Sequence, residues 1–345
     1  MKLSAFDYSL PPELIAQHPL PERDQSRMMV VRRRAGTFEH RRFCELPELL
    51  GPEHFLVLNN TRVFPARLWA HRPGKREQVE ILLLREEAPG SWLALLKPGR
   101  KAQPGQELLV EDLRARVLDV RDSGSRLLLF SPAENLRSSV ERLGRPPLPP
   151  YIHRQPGDDP SDDSERYQTI YARHTGSIAA PTAGLHFTTK VLERLEGRGI
   201  SRCEILLHVG YGTFQPVRSA VIENHRIEPE YFEIGDDSAA FIQGAKRKGK
   251  HLIAVGSTTT RVLEYVARSS TGFDKGSSGY CDLFIYPGFD FRVLDGLLTN
   301  FHLPRSTLFM LVCAFASREL MLQCYREAIA QKYRFYSYGD CMLIL

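Results

Sequence analysis

His186, His208 and His302 each stand beside a short apolar run and among small or polar residues. An imidazole in such a place, with a pKa near neutrality, can move protons. His186 lies in SIAAPTAGLHFTTK (177–190), which crowds Pro181, Thr182, Ala183 and Gly184 just ahead of helix-forming residues. Small side chains there let a ligand approach the backbone. Glu228, in NHRIEPEYFEI (224–234), serves either as a general base or as an edge-strand carboxylate. His208 follows the apolar run CEILL and, taken alone, reads first as a satisfied core histidine. The eleven histidines show no HExxH or H-x-x-x-H spacing, and the six cysteines form no C-x-x-C pair. Reduced, buried thiols and no metal site are expected.

These residues need elements to position them. Strand-like runs at 55–60, 201–209, 251–257 and 281–288 alternate with helical stretches at 188–198, around AAFIQGAKRKGK, and at 258–269. Pro304 fits the first turn of a helix through RSTLFMLVCAFAS, and a second amphipathic helix covers 319–331. Alternating strands and helices predict an α/β domain, barrel-like or layered. Ligands in such sheets sit past the carboxyl ends of the strands, near helix N-termini. Five junctions carry polar residues there. They are Asn59 to Arg62; Thr182, Gly184 and His186; His208, Gly210, Gly212 and Thr213; Gly256 to Thr259 with Arg261; and Thr299, Asn300 and His302. Asn59 and Asn60 also suit a turn, and Ser257 to Thr259 also suit a helix cap. Five such junctions together predict a shared cleft. GYGTFQ (210–215) lacks the third glycine of a dinucleotide fingerprint, and Pro216 follows where a helix is needed. No Walker loop and no G-x-S-x-G elbow appear.

Residues 67–130 read differently. Six short apolar runs are separated by RPGKRE, EAPGS, KPGRKAQPG and RDSGS, which predicts a small antiparallel β-barrel. RPPLPPYIHR (145–154) reads as an extended return linker. The expected organisation is an α/β catalytic domain of residues 1–62 and 151–345, with a barrel domain of 63–150 inserted. Residues 61–130 hold 13 Lys+Arg and 9 Asp+Glu, so a net +4 of the chain's +5 lies there. KPGRK puts Lys97, Arg100 and Lys101 in one loop, as an RNA-binding barrel does and as a solvated turn also does.

The 345 residues exceed one ordinary core. Hydrophobic residues at 42% and charged residues at 25% are globular values. MKLSAFDYSLPPEL has no apolar signal core, and the longest apolar run, Leu308 to Ala316, is short of a bilayer span. A cytoplasmic protein is expected.

NNTRVFPARL, GSIAAPTAGLHFT, LHVGYGTFQPV, HRIEPEYFEI, AVGSTTTRVLE, TNFHLPRSTLFMLV and YRFYSYGD, in this order, closely resemble the S-adenosylmethionine:tRNA ribosyltransferase-isomerase family of queuosine biosynthesis. The resemblance runs from FDYSLPPELIAQHPL (6–20) to YGDCMLI (338–344), with departures at Tyr211, Gln215 and Arg305. It implies an α/β domain with an inserted barrel. It also implies S-adenosylmethionine as ribosyl donor, with no bound cofactor. The acceptor would be 7-aminomethyl-7-deazaguanine at the tRNA wobble position, and the products epoxyqueuosine in tRNA, adenine and methionine. His186, His208, His302 and Glu228 then become the catalytic candidates. Thr182, Thr258, Arg261 and Asn300 would hold the donor, with Gly184 and Gly210 leaving room for it. Arg62, Arg67, Lys97, Arg100 and Lys101 would meet tRNA phosphates. A monomer without membrane contact is expected. A methyltransferase would instead release S-adenosylhomocysteine, and it lacks here its glycine-rich loop. A non-catalytic RNA-binding protein accounts for the basic loop but not for histidines at three junctions.

Overall fold

The computed structural model describes residues 1–121, 124–134, 136–154, 160–214, 217 and 219–345. Part of the turn RDSGS and the pair Gln215–Pro216 lie outside the described residues. The chain divides into two compact units. One holds Met1–Arg62, residues 150–154 and Gln168–Leu345; the other holds Val63–Pro149 and the helix Pro160–Arg166.

The larger unit is built on a nine-stranded open sheet, so the layered alternative applies and the barrel-like one does not. Strand order is Ser277–Cys281, Glu230–Ile234, Ser201–Leu207, His54–Asn59, His251–Val255, Gly296–Asn300, Cys341–Ile344, Arg27–Arg32 and Thr37–Arg42. The four central strands, from Ser201–Leu207 to Gly296–Asn300, run parallel. Two of them, His54–Asn59 and His251–Val255, carry continuous apolar runs because both faces are covered. In His54–Asn59, Phe55 and Val57 enter one core and Leu56 and Leu58 the other. Helices Asp236–Arg247, Ser257–Val266, Thr307–Ala316 and Arg318–Ala330 close the first face, and Leu46–Leu49 with Thr189–Gly197 the second. All four parallel carboxyl ends therefore open on one side.

Two expectations change. The apolar run at 281–288 is not a strand; the polar segment Ser277–Cys281 is. It lies at the sheet edge, where one row of neighbours suffices, while Leu283 and Ile285 pack as loop against the core. Pro304 does not begin its helix. The Ser306 hydroxyl caps Phe309 N–H at 3.1 Å, so the helix starts at Thr307 and Pro304 stays in the preceding turn.

In the smaller unit six antiparallel strands close a barrel, in the order Arg126–Ser131, Ser91–Lys97, Gln78–Ala88, Arg67–His71, Glu107–Val110 and Leu113–Val120. Alternation fixes which face is inside: Leu113, Ala115 and Val117 are buried, while Arg114, Arg116 and Leu118 are exposed. Among the described residues no single helix is long and apolar enough to cross a membrane.

Candidate functional site

A pocket opens at the carboxyl end of the parallel strands. Its wall takes Ala179 to Ala183 from the turn before Thr189–Gly197, and Gly256, Ser257 and Thr258 from the end of His251–Val255. Thr299 to Leu303 come from the end of Gly296–Asn300 and the residues after it, and Tyr151, Val209, Ser306, Leu308, Tyr336 and Ser337 complete it. Three junctions thus deliver polar side chains to one place, and a fourth delivers only Val209. The first junction goes elsewhere, with Asn60 lining a separate cleft beside Glu204. Asn59 ties two strand ends together, donating to Leu207 O at 3.0 Å and accepting from Leu207 N–H at 3.1 Å.

Gly256 has φ +96°, a conformation glycine takes without cost. It turns the chain into helix Ser257–Val266, whose N-terminus has no side-chain cap. The first N–H groups of a helix have no partner inside it, and the dipole adds partial positive charge. Thr259 and Thr260 spend their hydroxyls on Val255 O at 2.7 Å and Gly256 O at 3.1 Å. The hydroxyls of Ser257 and Thr258 make no hydrogen bond to the described residues, nor does that of Thr182.

His302 is buried at 8% exposure and lines the pocket. Its N–H donates to the Tyr325 hydroxyl at 3.0 Å, and its carbonyl accepts from the Tyr8 hydroxyl. Nε2 lies 2.8 Å from the Thr299 hydroxyl. Burial pushes its pKa down to about 3, so the ring is neutral at working pH.

His186 does not face the pocket mouth. It is 4% exposed, with Nδ1 2.9 Å from Ser26 Oγ and Nε2 3.0 Å from Asn300 Oδ1. Asn300 donates its amide hydrogens to Tyr336 O at 2.8 Å and Ser337 O at 3.3 Å, which turns Oδ1 toward the imidazole. Nε2 must therefore carry the proton, and Nδ1 lies against the Ser26 hydroxyl, which itself donates to Arg23 O at 3.1 Å. Burial lowers the pKa of this ring as well. Phe187, its neighbour, is fully buried, and Thr188 caps Val191 N–H while donating to Asp24 at 2.9 Å. No local pattern marks Ser26 and Asp24, because their role rests on pairing across 160 or more residues of chain.

Other expected residues sit off the lining. A side chain at Gly184 would strike the Tyr171 hydroxyl, so glycine there makes room for tyrosine rather than ligand. His208 bonds Thr61 through Nδ1 at 2.8 Å and packs so close to Gly176 that a Cβ would sit 2.6 Å from Nε2. Its pKa is lowered by burial and then by His174. Glu228 is exposed beside Gly212. Arg261 is 4% exposed and donates to Glu230 at 2.6 Å, Leu283 O at 2.9 Å and Cys281 O at 3.3 Å. Glu230 in turn accepts from Gly210 N–H at 2.9 Å. Arg261 and Gly210 are thus joined through Glu230, a residue absent from the sequence candidates, and they brace the loop behind Val209. Among the described residues no cluster of His, Cys, Asp or Glu is arranged to hold a metal.

In the barrel unit Lys97 and Arg100 are exposed, whereas Lys101 pairs with Glu77. Arg67 pairs with Glu80 at 3.1 Å and donates to Leu148 O at 3.0 Å. Arg62, in the larger unit, is exposed.

The family model described as a queuosine biosynthesis protein matches residues 3–344. A Desulfitobacterium hafniense protein named S-adenosylmethionine:tRNA ribosyltransferase-isomerase is 49% identical over 347 residues, covering 100% of both chains. One of the same name from Moorella thermoacetica is 49% identical over 348 residues, again 100% of both. The crystal structure of an S-adenosylmethionine tRNA ribosyltransferase from Thermotoga maritima is similar over 99% of this chain and 100% of that one, with 38% identity and a TM-score of 0.57.

Proposed function

Because the chain belongs to the queuosine biosynthesis protein family, we propose that the pocket at the strand ends is where it works as an S-adenosylmethionine:tRNA ribosyltransferase-isomerase. The ribosyl part of S-adenosylmethionine is moved to 7-aminomethyl-7-deazaguanine at the tRNA wobble position and rearranged, and adenine and methionine leave. The observation that carries the placement is a set of unspent polar groups, Thr182, Ser257, Thr258 and one ring nitrogen of His302, converging from three junctions. Thr299, Asn300 and Ser306, also in the wall, spend their polar side chains on the protein itself.

The uncapped N-terminus of Ser257–Val266, with the Ser257 and Thr258 hydroxyls, suits the methionine carboxylate. Thr182 and His302 are left for the hydroxyls and ring nitrogens of the adenosyl part. Asn300 holds the wall at Tyr336 and Ser337, and His186 holds Asn300. His186 is therefore proposed as a positioning residue. His208, Glu228 and Arg261 do not touch the donor in this reading. The proposed working unit is a cytoplasmic monomer with no bound cofactor.

Purified protein given S-adenosylmethionine and tRNA carrying the modified wobble base is expected to release adenine and methionine in equal amounts, read by chromatography. S-adenosylhomocysteine in their place would identify a methyltransferase and sink the reading.

For tRNA, exposed Lys97 and Arg100 are the proposed phosphate-binding groups of the barrel. Alanine at both is expected to weaken tRNA binding and to flatten its log–log salt dependence by about 0.7–0.9 for each phosphate no longer neutralised. Alanine at Lys101 adds less, because its ammonium already sits on Glu77. Equal affinities across a salt series would remove the loop from the tRNA site.

A further inference from the structure

The roles of the two ring nitrogens of His302 follow from its neighbour. Thr299 is 1% exposed, and its hydroxyl has one hydrogen-bond partner among the described residues, His302 Nε2. A buried hydroxyl proton without an acceptor costs free energy, so the Thr299 proton belongs on Nε2. Nε2 is then the acceptor, and the ring hydrogen sits on Nδ1. That atom has no partner among the described residues, and the residue carrying it lines the pocket. Two tyrosines hold the backbone of the same residue at both its N–H and its carbonyl, so the ring has a fixed origin.

Resting on the reading of this pocket as the donor site, we infer that Thr299 is a positioning residue that fixes the tautomer of His302. The imidazole thereby offers an Nδ1–H hydrogen bond to an acceptor atom in the adenosyl half of S-adenosylmethionine. A ring nitrogen of the departing adenine and a ribose oxygen are the acceptors of that class. His302 is then a donor that polarises its partner, and it is not the base that removes the proton beside the sulfonium. The direction is set before the substrate arrives, which is how preorganised donors gain their effect.

The test is long-range ¹H–¹⁵N spectroscopy on the full chain labelled at histidine, with His302 assigned by its loss in His302→Gln. The wild type is expected to show the Nδ1–H pattern at neutral pH. Thr299→Ser keeps a hydroxyl; it is expected to keep that pattern and most of the turnover. Thr299→Val keeps the shape; it is expected to lose the single-tautomer pattern and about tenfold in kcat, with the KM for S-adenosylmethionine moved less than about threefold. An Nε2–H pattern in the wild type overturns the inference, and so does a Thr299→Val protein with unchanged tautomer and turnover. Adenine and methionine added separately locate the acceptor. Adenine is expected to shift the Nδ1 resonance and methionine is not. Donor that binds by calorimetry yet leaves Nδ1 unmoved, with adenine equally silent, overturns the inference while the activity stands on its own assay. Absence of donor binding overturns the pocket reading and the inference with it.

Discussion

Alanine at His302 is expected to lower turnover by on the order of a hundredfold to a thousandfold, with S-adenosylmethionine affinity changed by less than about tenfold. The side chain offers the pocket one polar atom, while Thr299 holds its other nitrogen and Tyr325 and Tyr8 hold the backbone of the residue. A donor aimed at charge that develops during the reaction contributes chiefly to the chemical step. Single-turnover adenine release, measured beside equilibrium donor binding, separates the two quantities. A folded variant with near-normal turnover would take His302 out of the mechanism.

The same burial has a consequence for acid stability, and its sign is fixed. The ordinary histidine pKa is near 6.5 and the folded value is about 3. Between those values the unfolded chain binds a proton that the folded chain refuses. Stability from this residue is therefore full above pH 6.5 and falls as pH drops toward 3. At pH 5 the loss is about 2 kcal/mol relative to pH 7. Desolvation is the cause, and the polar groups against the residue are the Tyr8, Tyr325 and Thr299 hydroxyls. His302→Gln is expected to flatten the pH dependence of unfolding free energy between pH 7 and pH 5 by that amount. An identical slope in both proteins would mean that the ring charges freely in the folded state.

Local pattern was enough for the barrel, since SWLALL and RARVLDVR alternate and Gly-Pro turns separate the strands. It was also enough for the parallel strands, whose FLVL and HLIAV runs are apolar on both faces. It failed where an element takes its stability from neighbours. Ser277–Cys281 is polar because it is an edge, and 283–286 is apolar because it packs as loop. Gly296–Asn300 and Cys341–Ile344 carry a weak strand signal because each is short, and only the neighbouring strands make them part of the sheet. For the site, spacing named residues near strand ends but not their directions. Thr182, Thr258 and His302 line the pocket, while His186 is turned away by Ser26 and Asn300. Arg261 resembles a substrate ligand in sequence because nothing in its own helix shows that Glu230 waits on a strand thirty-one residues earlier.

That pair is where a single substitution should cost the most stability. Arg261 and Glu230 are 5% and 4% exposed at their side chains, 2.6 Å apart. Glu230 also holds Gly210 N–H, and Arg261 holds two carbonyls of the chain leaving the edge strand. Arg261→Met removes the cation and leaves the Glu230 carboxylate buried without that counter-charge. Breaking a buried pair on one side costs about 3–5 kcal/mol, because the remaining charge stays buried after losing its counter-ion. Removing both charges is a different perturbation. Arg261→Met with Glu230→Leu removes both members of the pair, and most of the stability is expected to return, apart from the hydrogen bonds to Gly210, Leu283 and Cys281. Urea unfolding checks this with two probes. Both tryptophans, Trp69 and Trp92, lie in the barrel unit, so their fluorescence follows that unit, while far-ultraviolet circular dichroism follows both. The single substitution is expected to move the dichroism transition belonging to the sheet unit, and the double substitution to restore much of it. A single-variant loss under about 1 kcal/mol, or a double variant as unstable as the sum of the two singles, would show that the pair does not brace the loop behind Val209.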